Sequence, residues 1–68
     1  MTIWNVRYTL FFSDDPDDFI ENCVVNVFAI YKADAKNKVI SHEMARRRVC
    51  PVKRVEVISV TFVAAALY

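Results

Sequence analysis

Residues 23–48 read CVVNVFAIYKADAKNKVISHEMARRR, and the character of the sequence changes in the middle of this stretch. The first half is rich in Val, Ile and Phe, a composition typical of a buried strand. The second half contains Ala, Lys, Glu, Met and Arg, which lose little side-chain freedom in a helix. Asp34 lies at the junction, where a carboxylate can accept hydrogen bonds from the free N–H groups of a helix start. The stretch therefore predicts a strand over about residues 21–32 that leads into a helix over about residues 34–48.

Two further strands are predicted on either side of this stretch. Residues 2–12 alternate with a period of two and place an aromatic-rich set on one face, as a half-buried strand does. Residues 13–18, SDDPDD, predict a turn, and the absence of Gly argues against a two-residue hairpin. Residues 52–64 are rich in β-branched side chains and predict the third strand. Its apolar set changes face between Val57 and Ile58, which a β-bulge would reconcile.

The element order is thus β-β-α-β. The third strand is expected to run parallel to the second and antiparallel to the first. Placing the first strand in the centre, in the order 2-1-3, makes every neighbouring pair antiparallel and leaves the helix on one face through a right-handed crossover. A chain of 68 residues has room for one core only. We therefore predict a single small α+β domain over residues 1–68, with a three-stranded, mostly antiparallel sheet and one helix packed on one face.

The predicted helix has an apolar stripe at near-helical spacing, formed by Ala35, Val39, His42, Ala45 and Val49. Ile40 and Met44 fall on another face. His42 is interpreted as a partly buried structural residue, because consecutive side chains on a helix point in different directions and cannot form a catalytic relay. Cys50 is expected to end the helix, because the residue before a proline is disfavoured in the α region.

The sheet face opposite the helix is predicted to be uncovered and apolar around Arg7. Its candidate partner-binding residues are Ile3, Phe11, Val24, Phe28 and Ile30. Large apolar patches on small proteins tend to be binding sites. We therefore expect this face to bind a larger protein or protein complex, or to be buried in a homodimer.

Charge is segregated along the chain, although the formal net charge is only +1 and gives no global attraction to nucleic acid or anionic lipid. An acidic cluster, Asp14, Asp15, Asp17 and Asp18, is interpreted as a solvated turn that could also contact a partner. A basic cluster comprises Arg46, Arg47, Arg48, Lys53 and Arg54. Basic residues are favoured at a helix C-terminus, and they could also neutralise phosphates. Nucleic-acid binding is therefore the alternative function.

Several kinds of site are not expected. Phosphate-cradling loops and dinucleotide motifs need Gly, which the chain lacks. Cys23, His42 and Cys50 do not have the close paired spacing of a structural zinc site. We expect no metal, no cofactor and no enzymatic activity. Two cysteines without a signal peptide predict reduced thiols and a cytoplasmic protein, and no apolar run reaches the roughly 20 residues that span a membrane.

The layout of the chain resembles that of small proteins encoded by phages and other mobile elements. The stretches VFAIYKADAKNKVISHEMARR and VKRVEVISVTF carry this resemblance. Some anti-CRISPR proteins are similar in being single compact α+β domains without catalytic residues. The resemblance implies inhibition by occupying a surface of a larger host complex. Because no motif is matched residue by residue, it implies no site residue.

Overall fold

The central element of the fold is the strand β1, which lies between the two other strands of the sheet. The structure is a computed structural model, and it describes residues 1–13, 15, 17–46 and 51–65. Its elements are β1 (Thr2–Phe11), β2 (Phe19–Ala29), the helix α1 (Lys32–Ala45) and β3 (Arg54–Ala65). β1 pairs antiparallel with both neighbours, in the order β2-β1-β3, and α1 packs against all three strands. The predicted α+β class, strand order and single helix are confirmed.

The core lies between the sheet and α1. Its buried apolar residues are Val6, Tyr8 and Leu10 of β1, Ala29 of β2, Ala35 and Val39 of α1, and Val52 before β3. β1 contributes most because it is covered by a strand on each side and by the helix above. The predicted alternation of β1 is therefore correct, and it fixes which sheet face is buried.

The start of α1 differs from the prediction. The helix begins at Lys32, two residues early, and its N-cap is Tyr31, which has extended backbone and provides no side-chain cap. The Tyr31 carbonyl accepts hydrogen bonds from the N–H groups of Asp34 and Ala35, at 3.1 Å each. Asp34 is consequently already inside the first turn and does not cap the helix. Its carboxylate still lies near the positive end of the helix dipole, which is favourable.

The end of α1 also differs from the prediction. The last helical residue is Ala45, and Arg46 has extended backbone with φ −67° and ψ 131°. The helix therefore ends well before Pro51, whose steric effect reaches only the residue that precedes it. The predictions for Val49 and Cys50 lie outside the described residues.

The buried stripe of α1 consists of Ala35, Val39 and Glu43, not of the predicted residues throughout. These three positions are spaced by four residues and share one helix face. Glu43 is only 4% exposed, and the Tyr8 hydroxyl donates a hydrogen bond to its Oε1 at 3.2 Å. The interpretation of His42 as partly buried is wrong, because His42 lies beside this stripe and is exposed, as is Ala45.

The predicted bulge in β3 is present. Arg7 pairs with Ser59 and Tyr8 pairs with Val57, which leaves Ile58 as the additional residue. A second register shift in the same strand makes Val63 another additional residue. Because of the first bulge, Val57 and apolar residues that follow the bulge can all place side chains on the helix-facing side of the sheet.

Candidate functional site

The sheet face that points away from α1 is called the outer face here. Directly paired residues of neighbouring strands share a face, so the register defines its members. On β1 they are Ile3, Asn5, Arg7, Thr9 and Phe11; on β2 they are Phe19, Val24, Asn26 and Phe28; on β3 they are Arg54, Glu56, Ser59, Thr61 and Ala64. No described element covers this face, because α1, the one helix of the described residues, packs on the other side.

One end of the outer face is apolar. Phe28 pairs with Ile3, and Ile3 pairs with Ala64 on the other side. The Phe28 side chain is 45% exposed, while Ile3 is half-buried. Two of the predicted partner-binding residues thus lie side by side.

The opposite end of the outer face is an aromatic and cationic row across all three strands. Phe11 pairs with Phe19 and with Arg54. The two phenyl ring centroids are 5.9 Å apart, and the Arg54 guanidinium carbon lies 4.2 Å from the centroid of the Phe11 ring. This is cation–π geometry. Arg54 also lies 3.9 Å from Glu56 Oε2, so its charge is partly compensated.

The middle of the outer face is polar. The Asn5 side-chain amide donates a hydrogen bond to Asn26 Oδ1 at 3.0 Å, and Thr61 pairs with Asn5 on the other side. This row separates the two apolar ends. The outer face is therefore less continuously apolar than the sequence predicts, because the alternation that brings Ile3 and Phe11 to this face also brings Asn5 between them.

Arg7 is the charged residue of the central strand on this face. It is exposed and lies between its paired neighbours Val24 and Ser59. Val24 is 51% exposed. Among the residues that the structure describes, no carboxylate lies within ion-pair distance of Arg7. The guanidinium is thus a charge available to a ligand.

Ile30 does not lie on the outer face, contrary to the prediction. β2 ends at Ala29, so the alternation that would place Ile30 with Phe28 stops one residue earlier. Ile30 is 61% exposed and lines a shallow hollow beside Asp34 and Lys38 of α1.

The described members of the basic cluster do not share one side of the sheet. Arg46, at the end of α1, lies 3.8 Å from the buried carboxylate of Glu43 on the helix side. Arg54 lies on the outer face over Phe11. The Lys53 N–H donates to the Phe11 carbonyl at 2.7 Å, which fixes the entry into β3. Arg47 and Arg48 lie outside the described residues.

The described members of the acidic cluster, Asp15, Asp17 and Asp18, lie in a turn in which Asp15 accepts backbone hydrogen bonds. The Asp17 N–H donates to Asp15 Oδ1 at 2.9 Å, and the Asp18 N–H donates to the Asp15 carbonyl at 3.1 Å. Asp15, Asp17 and Asp18 are exposed, and Asp14 lies outside the described residues. Within the described ranges, no three His, Cys, Asp or Glu side chains are grouped as a metal site would require.

Phe19 is a residue of the outer face that sequence reasoning missed. β2 begins at Phe19 and not near Glu21, because a register shift opposite Thr9 accommodates an additional residue. Asn22 has a positive φ of 58° at this point. Asn is one of the few residues that tolerate the left-handed region, so it was the available signal for the irregularity.

The half-buried Cys23 is the thiol that the structure describes, and its Sγ donates to the Ile20 carbonyl at 3.8 Å. In the parts of the chain that are described, no helix has the length and apolar character needed to cross a membrane. The sequence matches no protein-family model, and no curated protein and no solved structure matches it. The resemblance to small phage-encoded proteins therefore stays a prediction.

Proposed function

We propose that this chain is a non-enzymatic protein-binding module whose outer face docks onto a partner protein. The partner would present apolar side chains around a carboxylate. The observation that supports this most directly is the position of Arg7. It lies exposed on the central strand, without an ion-pair partner among the described residues, between two apolar ends.

The composition of the outer face supports a protein partner. Aromatic residues and Arg are enriched at protein interfaces and dominate their binding energy. Phe19 and Phe28 are 39% and 45% exposed on this face. Both are on β2, whose backbone is held in the sheet by pairing with β1. A rigid β-sheet presents such side chains with little loss of conformational entropy on binding.

Charge complementarity defines the partner further. A buried guanidinium without a counter-charge would be costly in an interface, so docking over Arg7 requires an acidic group opposite it. The polar row of Asn5, Asn26 and Thr61 can be accommodated by hydrogen bonds or by interfacial water. We therefore expect the partner surface to contain an Asp or Glu flanked by apolar side chains.

Nucleic acid is less well supported as the ligand. Affinity for nucleic acid grows with the number of phosphates neutralised. Among the residues that the structure describes, the outer face has two cations, Arg7 and Arg54, and Arg54 lies near Glu56. Arg46 lies on the helix side of the sheet beside Glu43. Arg46 and Arg54 of the basic cluster thus lie on different sides of the sheet and do not form one phosphate-binding surface.

The mode of action that we propose is occupation of a surface on a larger complex, which the resemblance to small phage-encoded inhibitors implies. A cytoplasmic setting is part of the same proposal, because disulfide scaffolds of this size usually have more than the two cysteines of this chain.

Affinity capture with matched variants tests this proposal. The bait is immobilised wild-type protein, and the sample is a lysate of the source organism or its host. We expect a retained protein that is lost with Phe28→Asp and with Arg7→Glu. Met44→Asp serves as the control, because Met44 is 49% exposed on α1, on the other side of the sheet. This variant should retain the protein.

Circular dichroism and thermal melting of each variant separate binding from folding. If Phe28→Asp unfolds the chain, Phe28 belongs to the core and the outer face is not a docking surface. Equal loss of capture with Met44→Asp would contradict the proposal. Titration with duplex DNA and RNA against salt tests the alternative: tight, strongly salt-dependent binding would replace the protein partner with nucleic acid.

A further inference from the structure

The two edge strands of the sheet, β2 and β3, differ in whether side chains hydrogen-bond to their backbone groups. On β2, the carbonyls of Ile20, Phe28 and Ala29 accept hydrogen bonds from Cys23 Sγ (3.8 Å), Lys38 Nζ and Trp4 Nε1 (3.2 Å), respectively. Phe28 and Ala29 are consecutive, so one of their two carbonyls points to β1 and the other to the open edge. Glu21 adds a charge, and the register irregularity near Asn22 interrupts the ladder. Side-chain contacts, charges and bulges are the usual means of blocking an edge. β2 is therefore a protected edge.

In the described part of the chain, β3 lacks the side-chain hydrogen bonds that β2 has. Among the described residues, no side chain hydrogen-bonds to the backbone of Arg54–Ala65. Residues 57–65 read VISVTFVAA and contain no charge, no Pro and no Gly. Ile58, Phe62 and Val63 are 58%, 60% and 47% exposed. The bulges at Ile58 and Val63 interrupt the ladder, so the regular part of this edge is residues 59–62. An uncharged edge of this kind is a template for a further strand.

We propose that β3 pairs antiparallel with β3 of a second copy of this chain, which joins the two sheets into one of six strands. The charges of β3 identify the orientation. Arg54 and Glu56 lie at one end of the strand. A parallel arrangement would place like charges side by side, which is destabilising. An antiparallel arrangement centred on Thr61 separates them and pairs residues 57–65, which are uncharged, with one another.

The composition of this edge also favours a second copy as the occupant. The run VISVTFVAA is compatible with itself, because it has no charge that a complementary partner would need to match. A chain of 68 residues buries a limited fraction of its surface, and association is a common way for small domains to cover more. Antiparallel pairing about a two-fold axis leaves both outer faces on the same side. The dimer does not depend on the proposed function.

Sedimentation equilibrium over a micromolar-to-millimolar concentration series tests this dimer with a matched pair of variants. Thr61 and Asn26 both pair with Asn5 on the outer face, but they lie on opposite edges of the sheet. We expect wild-type protein to dimerise. Thr61→Lys should raise the dissociation constant at least about tenfold, because the new lysines of the two copies oppose each other. Asn26→Lys should leave the dissociation constant unchanged, and circular dichroism confirms that both variants fold.

Amide hydrogen exchange provides a second measurement that needs no substitution. In the dimer, outward-pointing amides of residues 57–65 are protected at high concentration and should exchange faster on dilution, whereas β2 amides should not change. A monomer across the whole series would overturn the proposal. So would a dimer that Thr61→Lys leaves intact, or concentration-dependent protection confined to β2. The dimer is measured on purified protein with Thr61 and Asn26 variants, whereas capture from lysate uses Phe28 and Arg7 variants, so the two proposals can fail separately.

Discussion

At the scale of single residues, the core depends on Val6, which is fully buried at the centre of the middle strand. We predict that Val6→Ala lowers the free energy of unfolding by about 2 kcal/mol, because it removes buried methyl groups and leaves a cavity. Denaturant unfolding followed by circular dichroism measures this. Val24→Ala is the control, since Val24 is 51% exposed, and it should change stability by less than about 0.5 kcal/mol. Equal effects of the two variants would contradict the assigned facing of the sheet.

The buried Glu43 is the residue that sequence reasoning could least predict. A carboxylate is seldom buried without partners, and the described partners of Glu43 come from different parts of the chain. Tyr8 donates from the sheet at 3.2 Å, and Arg46 lies 3.8 Å away at the helix end. Sequence periodicity placed His42 on the stripe because it reflects the spacing of residues along the helix. It does not include hydrogen bonds to distant parts of the same chain.

A tyrosine substitution tests this contact. Tyr8→Phe removes the hydroxyl that donates to Glu43 and should lower the free energy of unfolding by about 1–2 kcal/mol. Tyr31→Phe is the matched control, because Tyr31 is 68% exposed and its hydroxyl should contribute almost nothing. Thermal melting of the two variants and the wild type gives the comparison. An unchanged melting temperature for Tyr8→Phe would show that the hydroxyl does not stabilise the buried carboxylate.

At the scale of elements, the strands were more predictable than the helix boundaries. β1 alternates strictly, and the change of apolar face near Ile58 correctly indicated a bulge. The ends of α1 were not predictable to the same degree. Asp34 looks like a cap in the sequence, but the chain turns into the helix at Tyr31, a residue without a suitable side chain. Packing of Ala35 and Val39 on the sheet positions the helix instead.

The uncapped start of α1 gives a third prediction. Tyr31→Asn should raise the free energy of unfolding by about 1 kcal/mol, because its side chain can accept a hydrogen bond from a free N–H of the first turn. Tyr31 is exposed, so little packing is lost. Met44→Asn, an exposed substitution inside the helix, should lower stability by about 0.5 kcal/mol through helix propensity alone. A loss of stability in both variants would argue against Tyr31 as the N-cap.

At the scale of the whole molecule, the helix covers one side of the sheet and divides the surface into two unlike sides. The sequence correctly indicated that Ile3, Phe11, Val24 and Phe28 share a face. It overestimated how continuous that face is, because Asn5 and Asn26 pair across its middle. It also placed Ile30 there, since the apolar periodicity continues past Ala29, where β2 ends. The outer face that remains combines aromatic ends, a polar middle and the exposed charge of Arg7.

Site-specific photo-cross-linking tests the docking role of this face most directly. Phe28 and Met44 are replaced, one at a time, by a photoreactive phenylalanine analogue, and each protein is irradiated in the lysate used for affinity capture. The two side chains are similarly exposed, at 45% and 49%, on opposite sides of the molecule. We predict that position 28 cross-links to the captured protein and position 44 does not. Cross-linking from position 44 with none from position 28 would contradict the assignment of the outer face as the docking surface.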